Sequence, residues 1–498
     1  MGNLPSRARR ALACEKRACK IGAAVCLTLL YAVLLSFAGP LKSLTRFAVP
    51  ADRTHFLLLT SLLLFAALLA LALKKRLTLG AFGLAGAATA LALVLRLGLL
   101  DQVSADYAAF LERWVDIFRE GGFAMIKEEI GDYNLPYLYI LALIARSPLP
   151  DLYLIKLVSI CFDFALALMM MQMTERFIDE NRRLLVYLLV LVIPTVWWNS
   201  AYWAQCDALY VFFVVACFYA LLSDRPVLSV ALLTVAFAFK LQTIFFFPMV
   251  LFGLLHRKYK WRHAVVFPAV YLLTIVPALL AGRSLLSALT IYAHQSMGQY
   301  TDRLTYNAPN LYQFFPQYEI ANAPQWPWLR FLFADPESGG DGLALWSFDR
   351  ASMEWLQNTT LIAAALVVIA VVYFLWKRRR FISYGQVWRM ATFSALFLPM
   401  VLPKMHDRYF YMADMFSLLY GVRYPRRAAV PMLVIGASFA SYMPFLTRAR
   451  GVPMLAAAVM NIAALALIAR DILKDMRAQQ SFAGADGAGA DAVTPERV

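Results

Sequence analysis

An aspartate and a knot of cations are the residues of this chain best placed to do chemistry. Asp106 lies in Ser104-Ala105-Asp106-Tyr107, about six residues past an apolar run, where an aromatic helical pattern begins. There it could act as a general base, taking a proton from a substrate hydroxyl. It could equally be a helix N-cap or a carboxylate set against a helix dipole. Asp101 and Asp132 compete with it for the role of base. Lys404-Met405-His406-Asp407-Arg408-Tyr409 is the densest charged cluster at the end of an apolar run. Lys404, His406 and Arg408 together suit a phosphate, which an arginine can grip at two oxygens. The plainer alternative is a loop cluster pairing with Asp407 or with lipid headgroups. Lys240, with Gln242 two residues on, interrupts the apolar stretch 227–255 and asks for an anion or a route to the membrane interface.

The elements that must position these groups are membrane spans. The chain is 61% apolar with a mean hydropathy of +0.62, against about 45–50% apolar in soluble domains, and many segments approach the roughly 20 residues that cross a bilayer. The expectation is an all-α polytopic membrane protein. The net charge of +16 does not point to nucleic acid. The basic residues fall in short clusters between apolar runs (Lys74 to Arg76, Arg257 to Arg262, Lys377 to Arg380, Arg423 to Arg427), as in cytoplasmic loops. Six cysteines without a C-x-x-C pair read as small buried hydrophobes. The basic N-terminus and run 21–38 read as an uncleaved first span.

The charge rule then sets a topology of about fourteen spans with both termini cytoplasmic. Span three, near 78–100, delivers the stretch Leu100–Tyr139 to the external side. Tyr107, Phe110, Trp114, Ile117 and Phe118 recur there at helical spacing, which predicts an amphipathic interfacial helix ended by Gly121-Gly122. Leu135–Arg146 reads as a second short helix. The run 227–255 is too long for one helix with both ends inside, so a break is expected at Lys240. Segment 282–357 is the largest external one and too long for a plain loop. A disordered tail is expected from about Gln479. In this topology Asp106, Asp132, Gln205, Asp207, Lys240, Gln242, His406, Asp407 and Arg408 all fall at external span ends, which suggests a polar cavity on that face. There is no Walker loop and no zinc-like histidine spacing. No cofactor is predicted; Asp101, Asp106 and Asp132 could hold a divalent ion, but nothing specifies one.

Six motifs in order carry a resemblance: Ser104-Ala105-Asp106-Tyr107 with Trp114; Asp132-Tyr133-Asn134-Leu135-Pro136-Tyr137; Trp203-Ala204-Gln205-Cys206-Asp207; Phe239-Lys240-Leu241-Gln242; Asn307-Ala308-Pro309-Asn310-Leu311; and Met405-His406-Asp407-Arg408-Tyr409. Over about residues 90–425 the chain resembles GT-C glycosyltransferases, and in particular prokaryotic proteins similar to the second mannosyltransferase of glycosylphosphatidylinositol-anchor synthesis. The family often has Gly where this chain has Ala204, and Glu where it has Asp407.

The resemblance implies a GT-C-like bundle and an inverting hexosyltransferase, with mannose the favoured sugar. The donor would be a polyprenyl-phosphate-linked sugar, and the acceptor a glycolipid, glycan or protein hydroxyl on the external face of a bacterial cytoplasmic membrane. Asp106 would be the base, with Lys404, His406, Arg408 and Lys240 on the donor phosphate. Asp132, Tyr133, Gln205, Asp207, Gln242, Asn307 and Asn310 would line the substrate site. The module would span 78–425, with external loops 101–150 and 282–357. An added hairpin within 1–77 would precede it; a hairpin at 426–470 and a cytoplasmic tail at 471–498 would follow. The rival from another class is a lipid-linked-sugar flippase or other secondary transporter, since broken helices and intramembrane charges suit both.

Overall fold

A computed structural model describes residues 6–37, 41–74, 77–131, 133–298, 304–315, 350–447 and 453–486. Asp132, the basic pair Lys75-Arg76, residues 316–349 of the long predicted external segment and the tail from residue 487 lie outside the described residues. What is described is almost wholly helical, with one pair of two-residue strands.

Eight helices among the described residues are long and apolar enough to cross a membrane: Lys16–Ser36, Pro50–Ala72, Leu79–Leu97, Asp151–Arg176, Trp261–Leu280, Glu354–Lys377, Pro425–Thr447 and Met454–Ser481. A ninth follows if the bent pair Arg182–Val192 and Pro194–Tyr202 counts as one span. The expectation of about fourteen rests on counting shorter helices too, such as Asp207–Leu222 and Pro226–Phe239. These helices face outward with leucines a soluble protein would hide. On Leu79–Leu97, Leu84, Leu91 and Leu95 are exposed, while Phe82, Ala85, Leu93 and Leu97 are buried. With no water in a bilayer core, helices keep every main-chain group paired internally. The chain is an integral membrane protein.

Two compact units divide the chain. The first comprises Met1–Leu241 and Ala264–Ile291; the second comprises Gln242–His263 and Tyr292–Val498.

In the first unit, local chemistry sets the helix ends that matter. The Thr78 hydroxyl accepts the Ala81 amide at 3.2 Å and starts helix Leu79–Leu97. Helix Glu180–Val192 stops at Ile193, whose extended ψ of 123° is what a following proline requires. The chain bends by 49° there and enters a π-turn, Trp198–Tyr202. Helix Pro226–Phe239 ends at Lys240, which is extended at φ −152° and ψ 131°. The expected break therefore falls at the expected residue. Helix Glu112–Gly121 buries Trp114, Val115 and Phe118 on one side and ends at Gly122, φ 69°.

In the second unit, helices Val387–Val401, Tyr411–Arg423 and Ala429–Thr447 pack with the last helix, Met454–Asp486. That helix continues past Gln479, where the sequence reading begins a disordered tail. The ion pair between Arg389 and Asp475, at 2.5 Å, and the pair between Arg427 and Asp471 fasten it to its neighbours.

Candidate functional site

Asp106 lies in the first turn of the helix that runs through the π-segment Tyr107–Leu111 into Glu112–Gly121. It does not cap that helix. Ser104 does: its hydroxyl accepts the Tyr107 amide at 3.2 Å and donates to the Trp203 carbonyl at 2.7 Å. The Asp106 carboxylate meets a different surface. Its Oδ2 accepts from the Trp203 indole at 2.9 Å and from the Gln205 amide at 2.8 Å. Two donors on one oxygen fix the direction of the carboxylate.

The network continues behind Gln205. Tyr133 donates its hydroxyl to Gln205 Oε1 at 2.9 Å, so the Gln205 amide is oriented from both ends. The Tyr133 ring packs edge-on against Trp114 at 5.5 Å and close to Tyr137 at 4.7 Å. Gly131 makes room for this: a side-chain carbon there would sit 2.0 Å from the Trp114 ring, and its φ of 59° already disfavours any other residue.

Asp207 begins helix Asp207–Leu222 and is almost fully buried. Its Oδ2 accepts from Asn199 at 2.7 Å, and its Oδ1 takes the Lys240 ammonium at 2.5 Å. The anion that a lysine in an apolar run asks for is thus Asp207. The same ammonium lies 5.6 Å from the centre of the Tyr133 ring and 5.9 Å from that of Tyr210.

Two further ties hold this cluster, and neither was singled out from the sequence. Arg96, in helix Leu79–Leu97, donates to Asp163 of helix Asp151–Met173 at 2.9 Å and to the Leu191 carbonyl at 3.1 Å. Ser200, in the π-turn, donates to the same Asp163 oxygen at 2.6 Å. This buried pair joins three helices to the turn that leads to Trp203. The Tyr107 hydroxyl donates to Asp151 at 2.8 Å; burial and that carboxylate hold the phenol protonated far above the ordinary tyrosine range, so it stays a donor. The available signal was charge in the middle of apolar runs, which marks Arg96 and Asp163 as residues that need partners. Just past Trp203, Ala204 takes a positive φ of 66°. A left-handed alanine costs about 1 kcal/mol, the physical reason a glycine suits this position.

The second unit builds a different local structure. Strand Thr305–Tyr306 pairs in parallel with strand Met405–His406, and Asn307 bridges back to His406. Lys404 and Asn307 both have positive φ, 60° and 55°, and the Lys404 amide donates to the Leu304 carbonyl at 2.7 Å. The Tyr306 ring stacks on the His406 imidazole, centres 4.7 Å apart and 14° from parallel, with Tyr409 at 5.2 Å from His406. Lys404, His406 and Arg408 are half-buried, and Asp407 is buried. Asn310 is fully buried; it accepts the Tyr312 amide at 3.1 Å and donates to the Leu402 carbonyl at 3.3 Å, so its side chain fastens the loop. Gln242 is buried near the start of the turn Leu241–Phe246, and its Oε1 makes no hydrogen bond among the described residues.

The predicted residues therefore divide. Asp106, Tyr133, Gln205, Asp207 and Lys240 come together in the first unit, while Gln242, Asn307, Asn310, Lys404, His406 and Arg408 belong to the second. Among the described residues no group of three or more His, Cys, Asp or Glu side chains is arranged to hold a metal ion.

A sequence profile decides the family: that of glycosyltransferase family 87 matches residues 133–403, more than half of the chain. The chain belongs to glycosyltransferase family 87. It is therefore a glycosyltransferase, and the match supports the GT-C type. The matched span takes in Tyr133, Gln205, Asp207, Lys240, Gln242, Asn307 and Asn310; Asp106 lies before it, and Lys404, His406 and Arg408 after it. No curated protein and no solved structure matches the chain.

Proposed function

We propose that this glycosyltransferase moves a hexose, mannose in the first instance, from a polyprenyl-phosphate carrier to an acceptor hydroxyl at the external face of the membrane, with inversion. The observation that carries the reading is the Asp106 carboxylate, aligned by Trp203 and Gln205 inside a buried polar cluster of a family 87 enzyme.

Asp106 accepts the acceptor hydroxyl's proton as that oxygen attacks the anomeric carbon. The bond from that carbon to the phosphate oxygen breaks on the opposite face, so a single displacement inverts the centre. A polyprenyl phosphate leaves as an anion and needs no proton. Lys404, His406 and Arg408 supply cationic donors for the phosphate, whose hold strengthens as charge develops. Lys240 acts through Asp207, and Tyr133 through Gln205. Asp132, Gln242, Asn307 and Asn310 remain candidates for contacts to the sugar or acceptor. The helices Glu112–Gly121 and Leu135–Ile144 lie at the membrane interface, in a bundle of about fourteen spans with both termini cytoplasmic. The catalytic module extends over about 78–425, after the hairpin within 1–77 and before a C-terminal hairpin at 426–470 and a cytoplasmic tail from 471.

The test is Asp106→Asn in full-length enzyme reconstituted in nanodiscs. The donor is tritiated polyprenyl-phosphate mannose, with glucose and galactose counterparts, and the acceptor source is a lipid extract of host membranes lacking the gene. A general base contributes roughly 10²- to 10⁴-fold, so transfer should fall by that factor with donor affinity retained. Turnover close to that of the unaltered enzyme would remove Asp106 from the mechanism.

A further inference from the structure

Lys156 lies in helix Asp151–Met173 and is completely buried. Its ammonium donates to the carbonyl oxygens of Leu99 at 2.9 Å, Leu100 at 3.0 Å and Gln102 at 2.6 Å. An ammonium has three N–H groups, and here each meets a main-chain carbonyl. These carbonyls belong to the turn that closes helix Leu79–Leu97, where carbonyls lose their helical partners and the dipole is negative. A lysine from one helix therefore caps the end of another.

The capped turn leads directly to Asp106, and the same end of helix Asp151–Met173 holds the segment at two more points. Tyr153 donates its hydroxyl to Asp101, and Asp151 accepts the Tyr107 hydroxyl at 2.8 Å. Ser104 is tied to the Trp203 carbonyl. Residues 99–107 are thus fixed on both sides of Asp106, leaving its carboxylate directed at Trp203 and Gln205. Burying an ammonium costs several kcal/mol unless every donor is satisfied. An apolar side chain would fill the space without that demand, but it would not hold three carbonyls in place.

We propose that Lys156 is a positioning residue for sugar transfer: by capping the turn at Leu99, Leu100 and Gln102 it sets the place of the Asp106 carboxylate. This rests on Asp106 being the proton acceptor. Displacing a reacting group by about 1 Å can cost on the order of 10²-fold in rate, and the loss falls on the chemical step, not on donor binding.

The experiment uses the same nanodisc assay, varying the donor at fixed acceptor extract. Lys156→Met should lower kcat per folded enzyme roughly 10- to 100-fold, with donor KM within about two-fold of the parent. Lys156→Arg, which keeps a cationic donor, should recover part of the rate. Hydrogen exchange should quicken in peptides covering residues 99–107 and stay unchanged in the Asp207–Leu222 helix. In an Asp106→Asn background, Lys156→Met should cause no further loss. Unchanged kcat per folded Lys156→Met enzyme, or an equal loss with and without Asp106, would overturn the assignment. An Asp106→Asn enzyme that turns over normally would instead sink the base reading. An inactive Asp106→Asn enzyme beside a normal Lys156→Met enzyme would sink only the positioning role.

Discussion

The Asp106 cluster and the His406 loop solve the same problem, holding polar groups in a mostly apolar protein, by opposite means. The first is built from side chains. Asp106, Trp203, Gln205 and Tyr133 form one hydrogen-bonded chain, and Asn199, Asp207 and Lys240 form another, much of both buried. The second is built from main chain. A two-residue strand pair, two positive-φ residues and a stack of aromatic rings present the half-buried Lys404, His406 and Arg408. A low-dielectric network is costly to disturb, because any member that loses its partner stays desolvated. A loop with half-exposed cations can accept or release an anion at lower cost. The difference suits the roles proposed above, a fixed proton acceptor in one place and a phosphate that comes and goes in the other.

The largest effect on stability should come from splitting the Lys240–Asp207 pair. Lys240→Met alone strands a buried carboxylate, at a cost of about 3–5 kcal/mol. Lys240→Met with Asp207→Leu should restore much of that loss, seen as recovered thermal melting in nanodiscs. A double variant no better than the single one would show that the pair is not what holds the turn.

On the loop side, His406→Ala or Arg408→Ala should raise donor KM roughly 10- to 100-fold, the size of a lost charge-assisted hydrogen bond, and change melting little. If melting falls as steeply as for Lys240→Met, the contrast between the two regions is wrong. Tyr306→Ala removes the ring stacked on His406, worth about 0.5–1.5 kcal/mol. A several-fold rise in donor KM is expected, with Tyr306→Phe close to the parent. Equal effects in both variants would point to the hydroxyl and not to the stack. The smallest change is Ala204→Gly. Relief of the positive φ should stabilise by about 1 kcal/mol or less, read as a small rise in melting temperature with activity retained.

Much of this was legible in order along the chain. The apolar runs locate the long helices and the polar interruption at Lys240 locates the helix break, because each depends on neighbours within a few residues. Partners were less legible. Asp106 meets Trp203 and Gln205 across 97 and 99 positions, and the motif around Gln205 marks a polar turn without saying which carboxylate it serves. Lys156, Arg96 and Asp163 do not stand out in the sequence, because single charges vanish in the average hydropathy of a span. Nor does spacing show that Asn310 bonds the Tyr312 amide and the Leu402 carbonyl.

That the chain is an all-α integral membrane protein, where its main helices run and, through the family 87 profile, that it transfers sugars all follow from the amino-acid order. Those properties are set by composition and by local pattern. It takes the packed fold to show that Ser104 rather than Asp106 caps the helix, that Lys240 has Asp207 for its anion, and that a lysine from another helix closes the turn before Asp106. In an apolar interior each buried polar group must find a partner, and which one it finds depends on how distant helices pack.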